Sequence, residues 1–288
     1  MRRVREHAAL TMLVLTFAIT WAVWIPRALA SHSLIEGRWP IVLGSVWTYG
    51  PLLAAISSAA MCGGRAGLRQ LAQRVTHGRI GWSPYLTALL APAAFWLLIT
   101  GSAWVAGQPW EAVRPRALAV SPLQAVALLA ALLATDGLGE EVGWRGFALP
   151  NLLLRWRPLS ASLMLGVAWM VWHLPLIFTQ GSALAGSPLL FHLVDLPLTA
   201  IFFTWLFLRS DGSTLPAIIL HGSASVWTSL AVPAGSWNLL ALVLVAKLAL
   251  SLVIVSRWRS AATPLADRPR CCGCARDDLR RGAIRGAN

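Results

Sequence analysis

"TDGLGEEVGWRGFALP", residues 135–150, sets two adjacent glutamates and an arginine into a chain that is otherwise apolar for tens of residues on either side. What such a stretch means depends on the medium around it. Hydrophobic residues make up 57% of the 288 and charged residues 12%, with a mean hydropathy of +0.65. An ordinary soluble domain carries roughly 25% charged residues. The composition is that of an all-α, polytopic membrane helix bundle, and Glu140, Glu141 and Arg145 fall inside it. The net charge of +13 does not imply a nucleic-acid partner. The arginines cluster between apolar runs and in the tail, where the enrichment of basic residues in cytoplasmic loops accounts for them.

Outward from that stretch, eight apolar runs are long enough to span a bilayer, which takes about 20 helical residues. They cover roughly 8–30, 41–62, 84–106, 121–138, 159–178, 188–208, 214–233 and 237–256. Basic residues precede the first run (Arg2, Arg3, Arg5) and follow every even-numbered one: Arg65, Arg69, Arg74 and Arg79, then Arg155 and Arg157, then Arg209, then Arg257 and Arg259. The opposite side has Arg27, Arg38, Arg114 and Arg116, partly offset by Glu36 and Glu111. Both termini are therefore expected on the cytoplasmic side of the plasma membrane. The opening "MRRVRE", an apolar run and "ALAS" at 28–31 imitate a secretory signal with a small-residue cleavage site. The run is longer than the usual signal core and contains Trp21 and Trp24, so an uncleaved first span is expected.

The cysteines define no redox framework. Cys62 lies at a span end, and Cys271, Cys272 and Cys274 crowd the tail. Their single C-x-x-C has no second pair, and a structural zinc site takes four ligands. Residues 257–288 are rich in Arg, Pro, Gly and Ala without apolar periodicity, the composition of a disordered basic tail.

Ionisable residues inside a bilayer are costly and usually mark function. Here they are Asp136, Glu140, Glu141, Arg145, His173, His192, Asp195, His221 and Lys247. Glu141 and Arg145, four apart on a helix, share a face and neutralise one another. Glu140 is offset from Glu141 by about 100° and has Trp144 at its own i+4 position, so its partner must come from elsewhere in the fold. Runs four and five form an antiparallel hairpin turning near Arg155 to Pro158. Glu140 and His173 each lie 15 residues from an edge of that turn, at a matching depth of about 22 Å. His221, in "TLPAIILHGSAS", follows a helix start with Ser213 or Thr214 as N-cap and Pro216 in the first turn, and Ser225 shares its face. One Glu and two His converging in a bilayer point either to a general base with its orienting groups or to a metal site. His192 and Asp195 read as helix-packing polars, with Asp195 or Asp136 the counter-ion of Lys247.

At these residues the chain resembles a family. "GEEVGWRGFALP", "WMVWHLP" and "LHGSAS" are similar to the three motifs of the CPBP (Abi) intramembrane endopeptidases, which include type II CAAX prenyl proteases and lysostaphin-resistance-like proteins. The resemblance covers roughly 120–230. The family pattern is E-E-x-x-x-R, then F-x-x-x-H, then H-x-x-x-N. Glu140, Glu141 and Arg145 match the first motif, His173 the second and His221 the third, while Trp169 replaces Phe and Ser225 replaces Asn. The resemblance implies a glutamic-type protease core over 121–256, preceded by about three transmembrane helices in 1–120. Glu140 with His173 would activate a water, His221 and Ser225 would stabilise the oxyanion, and Glu141, Arg145 and Trp169 would support the site. A carboxylate in an apolar cavity is a stronger base, and fixed donors act more strongly in low dielectric.

No cofactor is expected in that mechanism. A zinc held by Glu140, His173 and His221 is the alternative, but no H-E-x-x-H is present. The expected partners are the lipid bilayer and a membrane-associated protein or peptide substrate. Arginine outnumbers lysine 23 to 1, which points to a GC-rich bacterial source where prenylated proteins are not expected, so a CAAX substrate does not follow from the family name. A catalytically idle relative acting as a bacteriocin-immunity or scaffold protein is the other functional class. Ser225 favours it, and the complete set of Glu140, His173 and His221 opposes it.

Overall fold

The structure, a computed structural model, describes residues 7–36, 47–113, 120–182, 184–231 and 237–260. Eight long helices fill those residues: α1 Ala8–Ser31, α2 Gly50–Thr76, α3 Ser83–Val105, α4 Pro122–Leu153, α5 Pro158–Ile177, α6 Leu189–Arg209, α7 Leu215–Ala231 and α8 Trp237–Ser260. No strand occurs among the described residues. Six of these helices are long and apolar enough to cross a membrane; α2, with its arginines, and the 17-residue α7 are the other two. The protein is a multi-pass helical membrane bundle, as expected from composition.

Most of the helices begin and end within a few residues of the apolar runs. Helix α8 continues to Ser260, so residues 257–260, read as tail, are helical. Cys271, Cys272, Cys274 and the rest of the tail lie outside the described residues, as do Arg2, Arg3, Arg5, Arg38, Arg114 and Arg116. Cys62 is fully buried.

Two helices differ from expectation. The second was expected over 41–62, whereas α2 runs Gly50–Thr76 and residues 37–46 lie outside the described set. Gly64 breaks it internally with φ +54° and ψ −138°, a conformation that glycine adopts without a Cβ penalty. Beyond this break Gly67 backs onto the carbonyl of Ala59 so closely that no Cβ fits. Arg65, Arg69 and Arg74, expected in a loop, therefore ride on a helical arm. Arg74 is buried and donates from Nη1 to the carbonyl of Gly146 at 3.0 Å.

The fourth apolar run was read over 121–138; α4, 32 residues long in all, extends through the glutamate pair to Leu153, close to the hairpin turn expected near Arg155 to Pro158. It starts at a capping box, in which Ser121 Oγ accepts from Gln124 N and Gln124 Oε1 accepts from Ser121 N, with Pro122 in the first turn. Two π-helical turns, Leu133–Gly137 and Trp144–Ala148, flank the six-residue segment Leu138–Gly143. A π turn takes a residue out of the regular ladder and displaces carbonyls from it. In a bilayer such carbonyls need other donors. The hydroxyl of Tyr49 donates to Ala134 O at 2.7 Å, Arg74 to Gly146 O, and Asn151 Nδ2 to Phe147 O at 2.7 Å.

Glycines on α4 let its neighbours come close. A Cβ at Gly139 would lie 2.9 Å from the carbonyl oxygen of Thr48, and one at Gly143 would lie 2.6 Å from that of Pro51. This is the small-x-x-x-small packing by which membrane helices approach. On another face a Cβ at Gly137 would meet Ile218 O of α7 at 2.7 Å. Helix α4 is thus held between the start of α2 and the middle of α7. Helix α1 packs on α2 and α5; Trp24 is fully buried, and the Trp21 indole donates to the Trp172 carbonyl at 3.0 Å.

Candidate active site

Three helices bring the sequence-predicted residues together. From α4 come Glu140, Glu141 and Arg145, from α5 Trp169 and His173, and from α7 His221. Glu140, Glu141, Arg145 and His221 are 3%, 0%, 0% and 8% exposed, so their polar atoms must satisfy one another. Glu141 does most of this. Its Oε1 accepts from Arg145 Nη1 at 2.8 Å and from His221 Nδ1 at 2.7 Å. The Arg145 guanidinium also lies over two rings, 4.0 Å from the centroid of Phe203 and 4.7 Å from that of Trp169. In low dielectric such placement replaces part of the lost hydration.

Glu140 is held differently. Its Oε2 accepts from the indole Nε1 of Trp169 at 2.7 Å, and its Oε1 lies 3.9 Å from His221 Nε2. That gap is too long for a direct hydrogen bond but leaves both atoms within reach of one water placed off the line between them. Sequence reasoning paired Glu140 with His173; the connection in the structure is indirect. Trp169 bridges them, with its indole on Glu140 and its backbone carbonyl accepting from His173 Nδ1 at 2.8 Å. With Nδ1 committed as donor, His173 keeps Nε2 as an acceptor. Its half-buried ring sits beside those of Trp172, Trp169 and Trp24, at centroid distances of 4.8, 5.9 and 6.4 Å.

Two expectations change in content. Glu141 was assigned to a pair with Arg145, yet it also orients His221, a contact across 80 residues that a helical wheel does not contain. Trp169 was read as a replacement for Phe that supports the site, and its N–H is a donor that Phe lacks. Ser225 is half-buried one turn beyond His221. Of the remaining candidates, Asp195 is the counter-ion of Lys247, at 2.5 Å, with Thr199 Oγ1 completing the ammonium shell at 2.8 Å. His192 Nε2 pairs with Ser187 Oγ at 2.8 Å. These contacts tie α6 to α8 and to its own N-terminal turn, apart from the glutamates. Asp136, in the first π turn, accepts from Thr135 Oγ1 at 3.1 Å.

Among the described residues no three His, Cys, Asp or Glu side chains converge at ligand spacing.

Residues 122–227 match a family described as type II CAAX prenyl endopeptidase, Rce1-like. A protein named CAAX prenyl protease 2, from Methanococcus maripaludis, is 38% identical over 89 residues, covering 28% of this chain and 32% of that protein. The chain spans about a third of the length of this curated relative. The matched segment begins at the first residue of α4 and ends beyond His221, so it holds Glu140, Glu141, Arg145, Trp169, His173 and His221. Through that segment, residues 122–227, the chain is similar to the Rce1-like type II CAAX prenyl endopeptidases.

Proposed function

We propose that this protein is an intramembrane endopeptidase of the cytoplasmic membrane that hydrolyses a peptide bond of a membrane-associated protein or peptide, using a water activated by Glu140 and His173. The observation that carries the reading is the buried approach of Glu140 Oε1 to His221 Nε2 at 3.9 Å, with the second polar atom of each group already tied, to Trp169 and to Glu141.

In the proposed step a water beside Glu140 Oε1 gives that oxygen a proton as its own oxygen attacks the scissile carbonyl carbon. His173 Nε2, left as an acceptor, helps to orient the water. Charge develops on the carbonyl oxygen, where His221, carrying a second proton and donating from Nε2, and the Ser225 hydroxyl would hold it. Glu140 then returns the proton to the leaving nitrogen. The C–N bond breaks, giving one new carboxyl terminus and one new amine. No metal-bound step enters, and no prenyl group on the substrate is required.

The test uses the full-length protein in proteoliposomes and two internally quenched peptides with apolar C-terminal segments, one farnesylated at cysteine and one unmodified. Glu140→Gln should lower turnover by about 10²–10⁴-fold, the usual worth of a general base. Wild-type cleavage should survive strong chelators. Activity lost to chelator and restored by zinc refutes the metal-free mechanism, and wild-type rates from Glu140→Gln refute the assignment of the base.

A further inference from the structure

We infer that Trp169 is a positioning residue whose indole N–H pins Oε2 of Glu140, so that Oε1 is the oxygen presented to the nucleophilic water beside His221. The inference rests on the reading of Glu140 as the base and deepens it.

A carboxylate at the end of a glutamate side chain turns freely unless something holds it, because its terminal torsion has broad minima. Glu140 shares the Trp169 ring with a buried guanidinium, that of Arg145. Arg145 donates one hydrogen bond, from Nη1 to Glu141, while its Nε and Nη2 are buried without a hydrogen-bond partner among the described residues. Those donors would draw a free carboxylate away from the reaction space. The indole opposes that pull with a 2.7 Å hydrogen bond to a charged acceptor, a strong type of bond in an apolar setting.

The indole is itself well fixed. Trp169 is 4% exposed and lies edge-on to Phe203 at 5.8 Å and to His221 at 5.5 Å, with the Arg145 guanidinium over its face at 4.7 Å. Its backbone carbonyl meanwhile receives His173 Nδ1 at 2.8 Å. One residue thus sets which oxygen Glu140 presents and which nitrogen His173 presents. A phenylalanine keeps the carbonyl and most of the apolar surface but has no donor for Oε2. The replacement of Phe by Trp in this chain therefore adds a donor at a position where the family pattern has none.

The experiment has a spectroscopic arm that needs no substrate. In protein with 15N-labelled tryptophan in nanodiscs, Trp169→Phe identifies the Trp169 indole resonance by its loss, and Trp169→Tyr serves the same purpose should the Phe variant fail to fold. That resonance should lie downfield among the indoles and move upfield in Glu140→Gln, where the acceptor is neutral. In the kinetic arm, on the unmodified quenched peptide, Trp169→Phe should lower kcat by about 10-fold, as loss of orientation rather than of binding does, with KM within about 2-fold. Combined with Glu140→Gln it should cost nothing further, since it acts through that carboxylate. An indole resonance unmoved by Glu140→Gln, an unchanged kcat, or additive losses in the double variant overturns the inference alone. Wild-type turnover by Glu140→Gln overturns the parent reading instead, and with it the catalytic content of this one.

Discussion

Arg145→Ala separates structural support from chemistry in the glutamate pair. Glu141 is fully buried, and its Oε1 receives Arg145 and His221 while its Oε2 has no hydrogen-bond partner among the described residues. Truncating Arg145 leaves that carboxylate in an apolar interior with His221 alone. Removing one partner of a buried ion pair typically costs 3–5 kcal/mol. The same truncation removes the guanidinium from over Phe203 and Trp169, contacts worth about 1–2 kcal/mol in a desolvated setting. The two contributions share one group and do not simply add. A loss of about 4 kcal/mol, or roughly 10³-fold in the unfolding equilibrium, is expected. Reversible unfolding in mixed micelles titrated with sodium dodecyl sulfate, followed by tryptophan fluorescence, measures it. Glu140→Gln is the paired control. Its amide oxygen still accepts from the Trp169 indole, so its stability should stay within about 1 kcal/mol of wild type. If Glu140→Gln unfolds the protein and Arg145→Ala leaves it unchanged, the two roles are reversed.

Topology reporters fused after residues 79, 116, 157 and 209 should read in, out, in and in, because basic residues follow each even-numbered span; an outward reading at 79 or 157 reverses the orientation. Ser225→Ala should slow cleavage by up to about 10²–10³-fold, the worth of one oxyanion donor, and Ser225→Asn should match or exceed wild type. An unchanged rate for Ser225→Ala removes that hydroxyl from the site.

Helix positions were legible wherever an apolar run was bounded by charge or a cap. Helices α1, α3, α5, α6 and α7 begin and end within a few residues of their runs for that reason. Helix α2 was misplaced because Arg65, Arg69 and Arg74 read as a loop. A helical arm turned back by Gly64 shelters Arg74 against Gly146 O, and no local pattern announces such a long-range acceptor. The apolar run of α4 ends near 138 while the helix goes on to Leu153, because its charges are buried by contacts with one another and with other helices. Within the site, Glu141 with Arg145 was visible because their spacing is local. The bond from His221 to Glu141 and the indole on Glu140 were hidden because they join separate helices. The Trp169 substitution itself was in plain sight in "WMVWHLP"; what it does depends on which side the ring edge faces.

The segment that matches the family does not by itself hold the glutamate-bearing helix in place. The two π turns around Glu140 and Glu141 displace carbonyls of α4, and two of these take donors from outside residues 122–227: Tyr49 on Ala134 and Arg74 on Gly146. The close backbone approaches at Gly139 and Gly143 are likewise made to Thr48 and Pro51. A side chain at either glycine would have to push α4 away from α2, and that movement would carry Glu140 with it. The residues that do the proposed chemistry and the residues that fix their helix are thus drawn from different parts of the chain. The chemistry is recognisable from three short motifs, whereas the support consists of single side chains and backbone contacts scattered over α2 and the turn before it.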